Sequence, residues 1–172
     1  MTSTSAPAPA AVDPSALRPY EAGRDSSSPN RNLTPVTTTI DPEGRLYVFS
    51  EKPLIEGFPI YRLGDNGLFV IDGYLPERDV FAIVGADFAD DGTLYLLERK
   101  LVVGLWWQNR IRRVRLDGSE DTILWTGERG EYGNLEGISV WQDEKGLRLT
   151  LVSDNNGGNG VPTEFVEFRL TE

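Results

Sequence analysis

A chain of 172 residues with 39% apolar and 26% charged residues has the composition of a core-forming domain, and its 27 acidic against 17 basic residues give a formal charge of −10. That charge repels a phosphate backbone, so nucleic acid is not an expected partner. With no cysteine and no histidine, disulfides, thiolate nucleophiles, a Ser-His-Asp triad and histidine metal sites are all excluded, and any metal must take oxygen ligands, as Ca²⁺ or Mg²⁺ does.

Residues 1–32 are mainly Ser, Thr, Ala, Pro and Asp with few large apolar groups. Such a stretch buries too little surface to offset its ordering entropy and is expected to be a disordered polar tail. It has neither the basic start nor the apolar core of a signal peptide. No apolar run in the chain approaches the ~20 residues of a membrane span.

From residue 33 to 172 the text repeats. Thr38–Glu51, with its turn at Asp41-Pro42-Glu43-Gly44, matches Ala86–Arg99, with its turn at Ala89-Asp90-Asp91-Gly92; the two turn glycines are 48 residues apart. A third copy runs from Gly137 through Asp143-Glu144-Lys145-Gly146 to Asp154, its turn glycine 54 residues after Gly92. Each copy predicts a strand, an Asp/Gly turn and a second strand, rich in β-branched and aromatic residues. A further hairpin pattern follows each: Pro59–Ile71 across Gly64–Gly67, then Arg110–Trp125 across Asp117-Gly118, and finally the single strand Glu164–Leu170. Four strands in about 50 residues is the period of a β-propeller blade, and no helical periodicity competes. The expected fold is therefore all-β: a partial propeller of about three four-stranded antiparallel blades, two complete and one with three strands. Closed propellers have about four to eight blades, which leaves two readings open. The chain is a fragment of a longer propeller, or it closes by pairing with a second copy as a homodimer.

Three phrases go beyond generic blades. Gly85–Arg99 (GADFADDGTLYLLER), Asn134–Trp141 (NLEGISVW), and Leu149–Asn156 with Thr163–Phe168 (LTLVSDNN and TEFVEF) together resemble the bacterial phytase-like family, "esterase-like activity of phytase", in its C-terminal blades. The resemblance implies an exported, periplasmic or secreted hydrolase acting on a small-molecule phosphate ester with Ca²⁺. The chain departs from the family where an Ile-Glu-Ala-Leu phrase is expected, because the position of that glutamate is taken by Val36. Only one of the two matching glutamates, Glu136, is present. The alternatives are a non-catalytic propeller that binds a ligand or protein, and an inactive truncated product.

Glu136 opens the first strand of its blade, where a propeller faces its channel, and there it acts as general base or Ca²⁺ ligand, or only bonds a neighbouring blade. Asp154 ends the second strand of the last blade, and its expected counterparts are Glu51 and Glu98: acids recurring at one blade position would ring a cation. Turn chemistry is the competing role for Asp154. Asp87, in mid-strand, must be paired, liganded or exposed, and is the third metal-ligand candidate. Arg99 is the candidate to hold a substrate phosphate or carboxylate, or to pair with a blade-rim acid. Trp106 and Trp107, after Val102–Leu105, are expected on an apolar loop that lines a pocket or contacts a further blade. Arg110, Arg112, Arg113 and Arg115 are expected along a solvated strand face. The loop Asn155–Gly160 has no strand-loop-helix context and matches no nucleotide-binding fingerprint.

Overall fold

The computed structural model describes residues 36–102, 106–157 and 162–171. The tail expected over residues 1–32, the Val103–Leu105 stretch and part of the Asn155–Gly160 loop lie outside the described residues.

The described residues contain strands and no helix. Blade 1 is β1 (Val36–Ile40), β2 (Leu46–Ser50), β3 (Phe58–Leu63) and β4 (Phe69–Leu75). Blade 2 is β5 (Ala82–Phe88), β6 (Leu94–Val102), β7 (Trp106–Val114) and β8 (Asp121–Thr126). Blade 3 is β9 (Asn134–Asp143), β10 (Gly146–Asp154) and β11 (Phe165–Arg169). Each sheet is antiparallel in sequence order, and none closes on itself. The first strands are neighbours in space: β1 lies against β5, and β5 against β9. This is the stacking of a partial propeller, with β1, β5 and β9 on its inner side.

The repeated turns explain the hairpins. In the first, Asp41 Oδ1 accepts the N–H groups of Glu43 and Arg45 at 3.1 and 2.8 Å, and Gly44 closes the turn with φ of +82°. In the second, Asp91 Oδ1 accepts the Thr93 N–H at 2.9 Å and Gly92 has φ of +79°. A residue with a Cβ resists that left-handed backbone, so Gly is the residue the turn needs.

Alternation along β6 divides two cores. Leu94 and Leu96 face blade 1, where they pack with Tyr47, Phe49, Phe58, Ile60, Ile83 and Val114. Tyr95 and Leu97 face blade 3, where they pack with Ile111, Leu135, Leu149 and Leu151. The blades meet closely at Gly85: a Cβ there would stand 3.1 Å from Ile138 Cγ2 and 3.2 Å from the Ile138 nitrogen. Asp87 ties the three first strands together. Its Oδ1 accepts the Thr39 hydroxyl of β1 at 3.0 Å, and its Oδ2 accepts the Val140 N–H of β9 at 2.7 Å. Of the roles open to a mid-strand acid, Asp87 is paired.

The expectation of a solvated arginine face fails at its centre. Glu98, Arg110 and Arg112 are 0%, 1% and 0% exposed, and they form one ion network between blades 1 and 2. Glu98 Oε2 accepts Arg110 Nε at 2.6 Å and Glu98 Oε1 accepts Arg112 Nη1 at 3.0 Å. The same guanidinium groups donate to the carbonyls of Arg78 and Pro76 at 2.8 and 3.0 Å, and to Asp79 and Asp121. They thus satisfy the backbone of the segment that leaves blade 1 for blade 2. Burial works against the Arg112 charge, but the bonds from Arg112 to Asp121 and the charge of Glu98 outweigh it and hold its pKa above the ordinary value. Net charge says what the whole surface does. It does not say which residues of one strand are buried, and on β7 both faces are enclosed from Asn109 to Arg112. Trp106 and Trp107 also differ from expectation: they begin strand β7, opposite Val102 and Leu101, and are not loop residues.

A candidate site where three blade ends meet

Arg99, Glu136 and Glu51 come from three different blades and meet at one point. Arg99 lies near the end of β6, opposite Ala82 at the start of β5. Glu51 directly follows β2, and Glu136 is the third residue of β9. Arg99 Nη1 donates to Glu136 Oε1 at 2.6 Å, and Nη2 donates to Glu51 Oε1 at 3.3 Å. Nη1 also donates to Asn134 Oδ1. The guanidinium stacks on Trp107, its carbon 4.4 Å from the ring centroid, a cation–π contact made on the same face of blade 2. With an 11% exposed side chain Arg99 is nearly enclosed, whereas the Glu136 side chain is 42% exposed.

A β-bulge positions Glu136. Gly137 pairs with Val152 and Leu135 with Ser153, so Glu136 is the extra residue without a ladder partner. A bulge re-aims the side chain it carries, and such irregularities concentrate at functional sites. Blade 2 has the same device: Ile83 pairs with Glu98 and Gly85 with Leu97, so that Val84 is the extra residue there. The equivalent position is thus acidic in blade 3 and apolar in blade 2. Asn134 fixes Glu136 from the side, donating to its Oε1 at 2.8 Å and to Asn156 Oδ1 at 3.1 Å. Both bonds to Glu136 fall on Oε1, so among the described residues Oε2 accepts none and is the oxygen available to a water.

Glu98 and Arg99, adjacent in sequence, point to opposite faces of β6, as a period of two demands. Glu98 is enclosed with Arg110 and Arg112, while Arg99 reaches Glu136 and Glu51. Asp154 ends β10 opposite Asn134, and its Oδ1 accepts the Asn156 N–H at 3.0 Å, which is the turn role. Glu51, Glu98 and Asp154 lie seven, six and eight residues after their turn glycines. They therefore do not occupy one blade position; by that spacing the counterpart of Glu51 is Arg99.

Oxygen ligands for Ca²⁺ must converge, with about 6–8 around the ion. Among the described residues no three carboxylates gather in that way. At this cluster the two acids, Glu51 and Glu136, have the Arg99 guanidinium between them. This donor set does not fit a divalent cation. Two clefts, of about 300 Å³ beside Tyr95 and Trp141 and about 330 Å³ beside Arg45 and Arg115, open at the hairpin-turn end of the blades, away from this cluster.

Sequence reasoning points to Glu136 and Arg99, offers Trp107 only as a residue of an apolar loop, and does not foresee Asn134 or the stacking of Arg99 on Trp107. Register supplies the signal for Trp107: two positions from Asn109, which pairs with Arg99, it shares the face of Arg99. No curated protein and no solved structure matches the chain. A family model described as phytase-like, esterase-like activity of phytase, matches residues 4–157. The resemblance carried by the Gly85–Arg99 and Asn134–Trp141 phrases thus extends over most of the sequence, and the chain belongs to the phytase-like family.

Proposed function

We propose that this chain is part of an exported hydrolase of small phosphate or carboxylate esters, with Glu136 as its general base. The observation that carries this reading is the half-exposed Glu136 carboxylate, set on a bulge with Oε1 clamped by Arg99 and Asn134. A clamped carboxylate with one open oxygen can take a proton from an attacking water held within about 2.6–3.2 Å. Arg99 acts here as a positioning residue: three of its N–H donors already serve Glu51, Asn134 and Glu136. Membership of the phytase-like family supports hydrolysis as the reaction class, and fold likeness alone would not. No described helix is long and apolar enough to cross a membrane.

The test is hydrolysis of p-nitrophenyl phosphate and p-nitrophenyl acetate by the full chain, with Ca²⁺ added and then chelated. Glu136→Gln is expected to lower turnover by about 10²–10⁴-fold, the usual contribution of a general base. Turnover equal in wild type and Glu136→Gln would overturn the assignment. The internal satisfaction of Arg99 favours one second reading, a non-catalytic propeller in which the cluster only joins blades. Absence of turnover on both esters by a cooperatively folded chain selects it.

A further inference from the structure

We infer that Arg99 is the resident cation of the blade junction, filling with its guanidinium the place a divalent metal would otherwise take. The inference does not depend on hydrolysis. It rests on which atoms meet: two carboxylates from blades 1 and 3 and the Asn134 carbonyl oxygen, all accepting from one guanidinium of blade 2. Carboxylate and amide oxygens are the ligand types that hard cations select. In this chain those oxygens point at a fixed positive charge, which is stacked on Trp107 and 89% enclosed by its surroundings, being 11% exposed. A second cation entering the junction would meet a like charge at contact distance and would have to take its ligands from Arg99.

Two consequences follow. The wild-type junction refuses divalent cations, and the three blade ends are held by a charge the chain itself supplies. Removing the guanidinium while keeping its acceptors converts the junction into a cation site. Water would complete the coordination around Glu51, Glu136 and Asn134, as is usual for Ca²⁺.

Terbium(III), which takes oxygen-ligand sites of the Ca²⁺ kind, is the probe, and Trp107 is the built-in sensitiser, since its ring adjoins the place the ion would occupy. Excitation of tryptophan in the wild-type chain with Tb³⁺ is expected to give no saturable emission. Arg99→Ala is expected to gain saturable emission, and Arg99→Ala combined with Glu136→Gln is expected to lose it again. Arg99→Lys, which restores a positive charge, should remain dark. The inference is overturned if wild type emits as Arg99→Ala does and Glu136→Gln abolishes that signal. It is equally overturned if folded Arg99→Ala stays dark. Should Arg99→Ala not fold, the wild-type melting temperature decides: no change between added Ca²⁺ and chelator is expected, and a saturable rise that Glu136→Gln removes would refute the assignment.

Discussion

Replacing Glu98 by Gln should be among the most destabilising isosteric changes available in this chain. The carboxylate is fully buried and lies 2.6 Å from Arg110 Nε and 3.0 Å from Arg112 Nη1. An amide keeps the volume, but whichever way it turns its NH₂ group faces one of the two guanidinium donors. One buried cation then loses its acceptor, and the neutralising charge is gone. Breaking a buried ion pair from one side costs about 3–5 kcal/mol. Asp79 and Asp121 still hold Arg110 and Arg112, which places the expected loss near the low end, ~3 kcal/mol. In a protein of this size that lowers the melting temperature by roughly 6–12 °C. Urea unfolding followed by tryptophan fluorescence measures it, with the exposed Glu56→Gln as a control expected to stay within about 0.5 kcal/mol of wild type. If Glu98→Gln also falls within about 1 kcal/mol of wild type, the network does not carry the junction of blades 1 and 2 and the reasoning fails.

Gly85→Ala should destabilise by about 1–3 kcal/mol, because its methyl would press on Ile138 across the junction of blades 2 and 3; equilibrium unfolding checks it. Asp87→Asn should cost about 1–2 kcal/mol, since the amide can turn its oxygen to the Val140 N–H and donate to the Thr39 hydroxyl but no longer accepts the Phe88 N–H, whereas Asp87→Leu loses all three bonds and should cost about 2–4 kcal/mol. Bonds from Arg169, the Lys145 N–H and Arg148 hold the Asp143 carboxyl well below the ordinary carboxylate range. A folded-state value below the unfolded one adds stability that is fully present above the unfolded pKa of about 4 and is lost as pH falls through the folded value. Asp143→Asn should therefore flatten the acid limb of stability against pH, measured by urea unfolding from neutral pH downward.

Much of the architecture was legible because the hairpin signal is local. The Asp-Gly turns at Gly44, Gly92 and Gly118 and the alternation between them place most of the strands, and the order of strands within each blade follows from short connections. The site was legible only in part. Glu136 and Arg99 could be selected residue by residue, but their meeting depends on the bulge at Glu136 and on the stacking of β9 on β5, and both are tertiary. Alternation was a usable signal that carried further than composition: it separates Glu98 from Arg99 and sets Arg110 and Arg112 on the face of Glu98. Repeat alignment fails where the offset from the turn glycine differs between blades. Glu51 and Glu98 look equivalent in the text but fall seven and six residues after their turn glycines, and one residue is enough to reverse a side chain.

The account depends on blades stacked so closely, first strand against first strand, that residues from three of them share one junction. A nuclear Overhauser spectrum tests this directly. The Gly85 α-protons and the Ile138 γ2-methyl group, 53 residues apart in sequence, should give a strong cross-peak, because a Cβ on Gly85 would lie 3.1 Å from that methyl carbon. With both resonances assigned, absence of the cross-peak would contradict the stacking and the Arg99 junction with it.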